Sequence, residues 1–66
     1  MELLTKYINE SGLKKTAIAT KLGITYVGLH YKLSGRNKFT LQEAFKLQEI
    51  LNIPDKDWKL IFKEVE

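Results

Sequence analysis

The sequence predicts an all-α domain, a compact arrangement of four or five short helices. Apolar residues recur at three- and four-residue spacing in successive blocks, which places them along one face of each helix. Glycine, asparagine and proline punctuate those blocks at Gly12, Gly23, Gly35 and residues 52–54. With 66 residues and no cysteine, the chain forms one domain, 1–66, which must fold by packing alone.

The first helix carries Leu3, Leu4, Tyr7 and Ile8 and stops at Ser11 and Gly12. Leu13, Ala17, Ile18 and Leu22 form the face of a second, about two turns long, closed by Gly23, which takes a left-handed conformation without steric cost. Thr25 is a good N-cap for a third helix. Ile24 and Leu29 flank that cap as a hydrophobic staple, Leu33 follows one turn later, and Ser34 and Gly35 end the element. Thr40, Leu41, Gln42 and Glu43 spell a capping box that opens a fourth helix, with Leu41, Ala44, Phe45, Leu47, Gln48 and Leu51 as its expected inner face. Asn52 to Pro54 break it. Asp55 or Asp57 starts a final segment with Trp58, Ile61, Phe62 and Val65 on one side, although alternation of Lys59, Leu60, Phe62 and Lys63 also permits a strand there.

Composition excludes several classes. A chain 44% hydrophobic and 29% charged is not a disordered one. There is no signal-like N-terminus and no apolar run long enough to span a bilayer, so the expected location is the cytoplasm, beside the nucleoid in a bacterial host. His30 stands alone without cysteines or a carboxylate cluster, and no nucleophile–base set or Gly-rich phosphate loop is visible. Neither an enzyme, a metal, a cofactor nor a small-molecule ligand is expected.

Charge is unevenly distributed. Lys6, Lys14, Lys15, Lys21, Lys32, Arg36 and Lys38 face only Glu2 and Glu10 in the first 38 residues, and no Asp or Glu lies between Lys14 and Lys38. The remaining residues are net acidic. A solvated helix surface would show the same asymmetry, so the charge acquires meaning only together with a motif.

That motif is a helix-turn-helix over about residues 15–34. Ala19 is expected where the two helices cross most closely, Gly23 makes the bend, and Leu29 fills the angle from the second helix. With Gly12, Leu13, the run from Ile18 to Thr25, the stretch Lys32, Leu33, Ser34, Gly35, Arg36, and Phe39 to Ala44, the chain resembles the lambda-repressor-like domains of phage repressors, Cro proteins and many bacterial regulators. The residues from Lys32 to Ala44 look most like small regulators of temperate phages of Gram-positive bacteria. The resemblance covers nearly the whole chain. It implies a domain that binds operator DNA, commonly as a dimer on near-palindromic sites. The chain departs from many relatives at Lys14 and Lys15, where a hydroxyl or amide N-cap followed by glutamine is usual, and it carries Gly28 inside the third helix.

Thr25, Tyr26, Val27 and His30, with Tyr31 at the margin, are the expected base contacts of the third helix. That helix has no arginine, asparagine or glutamine for bidentate pairing, so methyl contacts with thymine and DNA shape should share a moderate specificity. Lys14, Lys15, Lys32, Arg36, Asn37 and Lys38 are the expected phosphate contacts. Trp58 and Phe62 are candidate anchors of a homodimer, which would set two recognition helices about 34 Å apart; completing the monomer core is their competing role. The leading function is that of a stand-alone, Cro-like repressor of a phage or prophage acting on a duplex operator. The rivals are an antirepressor or antitoxin that uses the same fold to bind protein, and the excised domain of a larger repressor.

Overall fold

The computed structural model describes residues 2–63. Five helices follow one another: α1 (Glu2–Ser11), α2 (Lys15–Leu22), α3 (Tyr26–Leu33), α4 (Leu41–Leu51) and α5 (Asp55–Ile61). The final segment is therefore helical where the sequence also permitted a strand, and Val65 lies outside the described residues. Among the described residues no helix is long and apolar enough to cross a membrane.

Short-range chemistry sets the ends of these helices. At the end of α1, Ser11 Oγ donates to the Ile8 carbonyl at 2.6 Å and accepts from the Leu13 amide at 3.1 Å. Leu13 consequently sits half-buried in the connection and not on the face of α2, which begins two residues later. Gly23, at φ 75°, closes α2 with its amide on the Thr20 carbonyl and the Ile24 amide on the Ala19 carbonyl, the paired bonds of a Schellman ending. At α4 the capping box is complete: Glu43 N–H donates to Thr40 Oγ1 at 3.2 Å, and Thr40 N–H donates to Glu43 Oε1 at 2.8 Å.

α4 packs against both α1 and α2, while α2 also packs on α3 and α1 on α5. Leu4, Ile18, Leu29 and Leu47, drawn from four helices, are the largest fully buried side chains. Each contributes roughly 1.5–3 kcal/mol by leaving water. Phe39 and Ile53 join the core from the loops on either side of α4, and both escape a reading based on helical period because no periodic neighbours surround them.

Two expectations for α4 and α5 need correction. Leu41 and Phe45 are 40% and 51% exposed and do not belong to the inner face of α4, which is occupied by Ala44, Leu47 and Leu51. Phe62 is 3% exposed and packs edge-on against Phe39 with ring centroids 5.7 Å apart. Its surface is already consumed inside one chain, so it is a core residue and not a dimer anchor. Trp58 is half-buried; its indole N–H donates to the Ala44 carbonyl at 2.8 Å, and its ring stacks on Phe45 at 5.1 Å.

Polar links complete the assembly. Gln48 Nε2 donates to the Ile53 carbonyl and to Asp55 Oδ1, at 3.2 and 2.6 Å, which joins the end of α4 to the start of α5. Tyr7 donates its hydroxyl proton to the Asp57 carboxylate, linking α1 to α5, and that bond, aided by burial and neighbouring negative charge, raises the phenol above its ordinary pKa.

Lys32 Nζ reaches Glu43 Oε1 at 2.5 Å, with the two side chains only 15% and 12% exposed. Burial pushes the Glu43 carboxyl up, but hydrogen bonds from Lys32 and Thr40 and the Lys32 charge outweigh it and hold the group below its ordinary value. A depressed carboxyl stabilises the fold fully above its unfolded pKa, about 4.5, and loses that contribution as pH falls through the folded value. Thermal melts followed by circular dichroism should show stability declining on acidification below about pH 4.5. Glu43→Gln, which keeps a capping acceptor, should lower stability at neutral pH by about 1–3 kcal/mol and flatten that acid limb.

Candidate nucleic-acid interface

The turn of residues 23–25 delivers the chain directly into α3, and α2 and α3 pack against each other. Ala19 and Leu22 from α2 and Leu29 from α3 are buried in the same core, with Ile24 half-buried against it. One side of α3 is thereby committed to the interior. At 3.6 residues per turn, Val27 falls nearly opposite Leu29 and His30 to one side of it, while Tyr26, in the first turn, lies on the flank nearer Leu29 and Leu33. All three are exposed, Tyr26 by 49% and Val27 by 55%.

Thr25 precedes these residues as the N-cap of α3, and its Oγ1 accepts the Gly28 amide hydrogen at 3.0 Å. The same bond explains Gly28. A Cβ built there would stand 3.1 Å from Thr25 Oγ1, closer than such contacts ordinarily come, so glycine relieves crowding at the cap. Tyr31 is half-buried beneath the Arg36 guanidinium, which lies 4.7 Å from the ring centroid. Its carbonyl accepts the amide hydrogens of Arg36 and Asn37, at 2.9 and 3.2 Å, as the chain turns through Gly35. Aromatic ring and carbonyl together hold the start of the α3–α4 loop.

Of the expected phosphate contacts, Lys14 and Lys15 are exposed at the start of α2, and Arg36, Asn37 and Lys38 are exposed beyond α3. Lys32 differs. Its ammonium group is turned inward to Glu43 and lies 5.9 Å from the Phe39 ring centroid, so it braces α3 against α4 and is not a free phosphate ligand. Sequence reasoning missed this because the acid comes from outside the acid-free stretch and was already assigned to the cap of α4.

No family model, characterised protein or solved structure matches the chain. The chemistry of the surface is therefore read from its own groups. α2 starts at Lys14 and Lys15 with no side-chain cap and no acidic residue in its first turn. Cations at a helix N-terminus oppose the macrodipole by roughly 0.3–1 kcal/mol each. A bound anion would reverse that penalty. Among the described residues no group of His, Cys, Asp and Glu is placed to hold a metal ion.

The Thr25–Gly28 pair makes a non-additive cycle. Thr25→Ala should destabilise the fold by about 1 kcal/mol. Gly28→Ala alone should be nearly neutral, because a helix-propensity gain of about 0.8–1 kcal/mol is offset by crowding of the cap. In the Thr25→Ala background, with the obstructing oxygen gone, Gly28→Ala should recover that gain in full. Urea denaturation of the four proteins measures the coupling.

Proposed function

We propose that the chain binds duplex DNA sequence-specifically through a helix-turn-helix formed by α2 and α3, and that it acts as a transcriptional regulator by occupying an operator, in the manner of a Cro-like phage or prophage repressor. The observation that carries the reading is the exposed arc of Tyr26, Val27 and His30 on a helix whose other side is core, preceded and followed in the chain by exposed cations. The outer arc enters the major groove. Lys14 and Lys15 at one end, and Arg36, Asn37 and Lys38 at the other, contact phosphates without reading sequence.

The uncapped, cationic start of α2 supports this assignment, since a phosphate there satisfies amide hydrogens and lysines together. Two copies on adjacent major grooves suit the reading. The half-exposed Phe45, stacked on Trp58, and the exposed Leu41, four residues before it, form an apolar patch open to contact between them, and Leu60 on α5 is exposed as well. The same patch favours the second reading, a protein-interaction module of the antirepressor or antitoxin kind. Binding to random duplex DNA at low salt separates the two, because only the DNA-binding domain shifts it.

Four cations per chain, Lys14, Lys15, Arg36 and Lys38, should give a slope of log K against log salt of about −3.6 per bound subunit. Lys14→Gln and Lys15→Gln should each lower its magnitude by about 1. Lys32→Gln should leave the slope unchanged and reduce only stability. Fluorescence anisotropy on a labelled duplex at several salt concentrations reads these slopes, and a nearly flat line for the unaltered protein would remove the reading. Phe45→Ser should preserve the fold, because the side chain is half-exposed, and abolish concentration-dependent association in sedimentation equilibrium.

A further inference from the structure

We infer that α3 recognises the C5-methyl group of pyrimidines in the major groove, so that thymine, and cytosine bearing the same methyl group, are its principal base contacts. The inference rests on the DNA-binding reading above and specifies what that surface selects.

Several polar groups of α3 and its cap are engaged within the fold. Thr25 Oγ1 accepts the Gly28 amide hydrogen, which fixes the hydroxyl at the cap and leaves only its single O–H to donate. Lys32 is tied to Glu43 inside the fold. Tyr31 is half-buried under Arg36. Residues 26–33 contain no Arg, Asn, Gln, Asp or Glu, so the bidentate purine contacts and acceptance from cytosine N4 are closed to α3. Tyr26, Val27 and His30 are what protrude, and Val27, with 55% of its surface exposed, can neither donate nor accept a hydrogen bond.

The edges of bases in the major groove present donors, acceptors and a single apolar group, the methyl on C5 of thymine. A valine pressed against a donor or acceptor leaves that polar group dehydrated and unpaired, which is unfavourable. Pressed against the methyl, it buries apolar surface on both partners. Discrimination thus has two sources of the same sign, and the Tyr26 ring, the preceding residue and 49% exposed, extends the apolar area. An unmethylated cytosine offers nothing in that position. A 5-methylcytosine presents the same group as thymine, so methylation of a G·C pair would turn a disfavoured contact into a favoured one.

The test uses four labelled duplexes of about 24 base pairs, long enough for two turns of the groove: alternating A·T, its counterpart with uracil for thymine, alternating G·C, and its counterpart with 5-methylcytosine. Anisotropy titrations at one low salt concentration should give affinity for the thymine duplex about fourfold above the uracil duplex per methyl contacted, the equivalent of about 0.8 kcal/mol. The 5-methylcytosine duplex should exceed its unmethylated partner in the same way. Val27→Ala, at an exposed position, should bring the thymine-to-uracil ratio toward one without altering the salt slope. Equal affinity for thymine and uracil duplexes, with binding retained, overturns the inference and leaves the DNA-binding reading intact. A methyl effect that persists undiminished in Val27→Ala overturns the assignment to that residue. An effect confined to thymine overturns the extension to 5-methylcytosine and restricts methyl recognition to A·T pairs. Failure to bind any of the four overturns the DNA-binding reading itself, and is visible before the ratios are compared.

Discussion

Glu43 holds the molecule's most consequential position. Its Oε1 accepts hydrogen bonds both from the Thr40 amide, which starts α4, and from the Lys32 ammonium group, which ends α3. One carboxylate therefore caps one helix and fixes another against it. α4 in turn packs on α1 and α2, so the placement of α3 is referred to the centre of the fold. A neutral side chain at position 43 would leave the Lys32 charge largely buried without a counterion, a more serious deficit than loss of a surface ion pair.

The surrounding aromatic residues extend that anchoring. Phe39, beside Lys32, packs on Phe62, and Phe62 in turn contacts Trp58, whose indole donates to a carbonyl of α4. A chain this small buries limited apolar area, and these rings supply much of it where the helices are shortest. The loop after α3 is held by a different device, with Arg36 lying over Tyr31 at the position where a Schellman ending ordinarily makes an apolar contact. Rigid supports thus stand at both ends of an eight-residue helix whose outer arc is exposed.

The residues of this one short helix divide between the fold and the surface. Leu29 is committed to the core and Lys32 to the brace, Tyr31 is partly committed to the loop, and Tyr26, Val27 and His30 remain available. A surface of that composition is poorly suited to bidentate hydrogen bonding and well suited to shape and apolar contact. In the proposed DNA-binding reading, the exposed lysines and arginine at positions 14, 15, 36 and 38 supply affinity while the helix supplies selectivity.

Most helices and their ends are legible in the sequence, because they depend on interactions within a few residues: the Thr40–Glu43 box, the Gly23 ending, the Thr25 cap and the apolar period of α1 are all local, whereas the last segment also permitted a strand. The sequence also placed Val27 and His30 away from the inner side of α3 marked by Leu29 and Leu33, whereas Tyr26 shares that side by period and its 49% exposure is seen only in the fold. Which charges and rings remain available depends on how the helices pack. Lys32 left the set of free cations for Glu43, eleven positions away, Phe62 was absorbed by Phe39, and Leu41 and Phe45 were left outside the core. Each outcome depends on how helices meet in space. Periodicity carries no record of a contact between residues whose separation in sequence is unrelated to their distance in the fold.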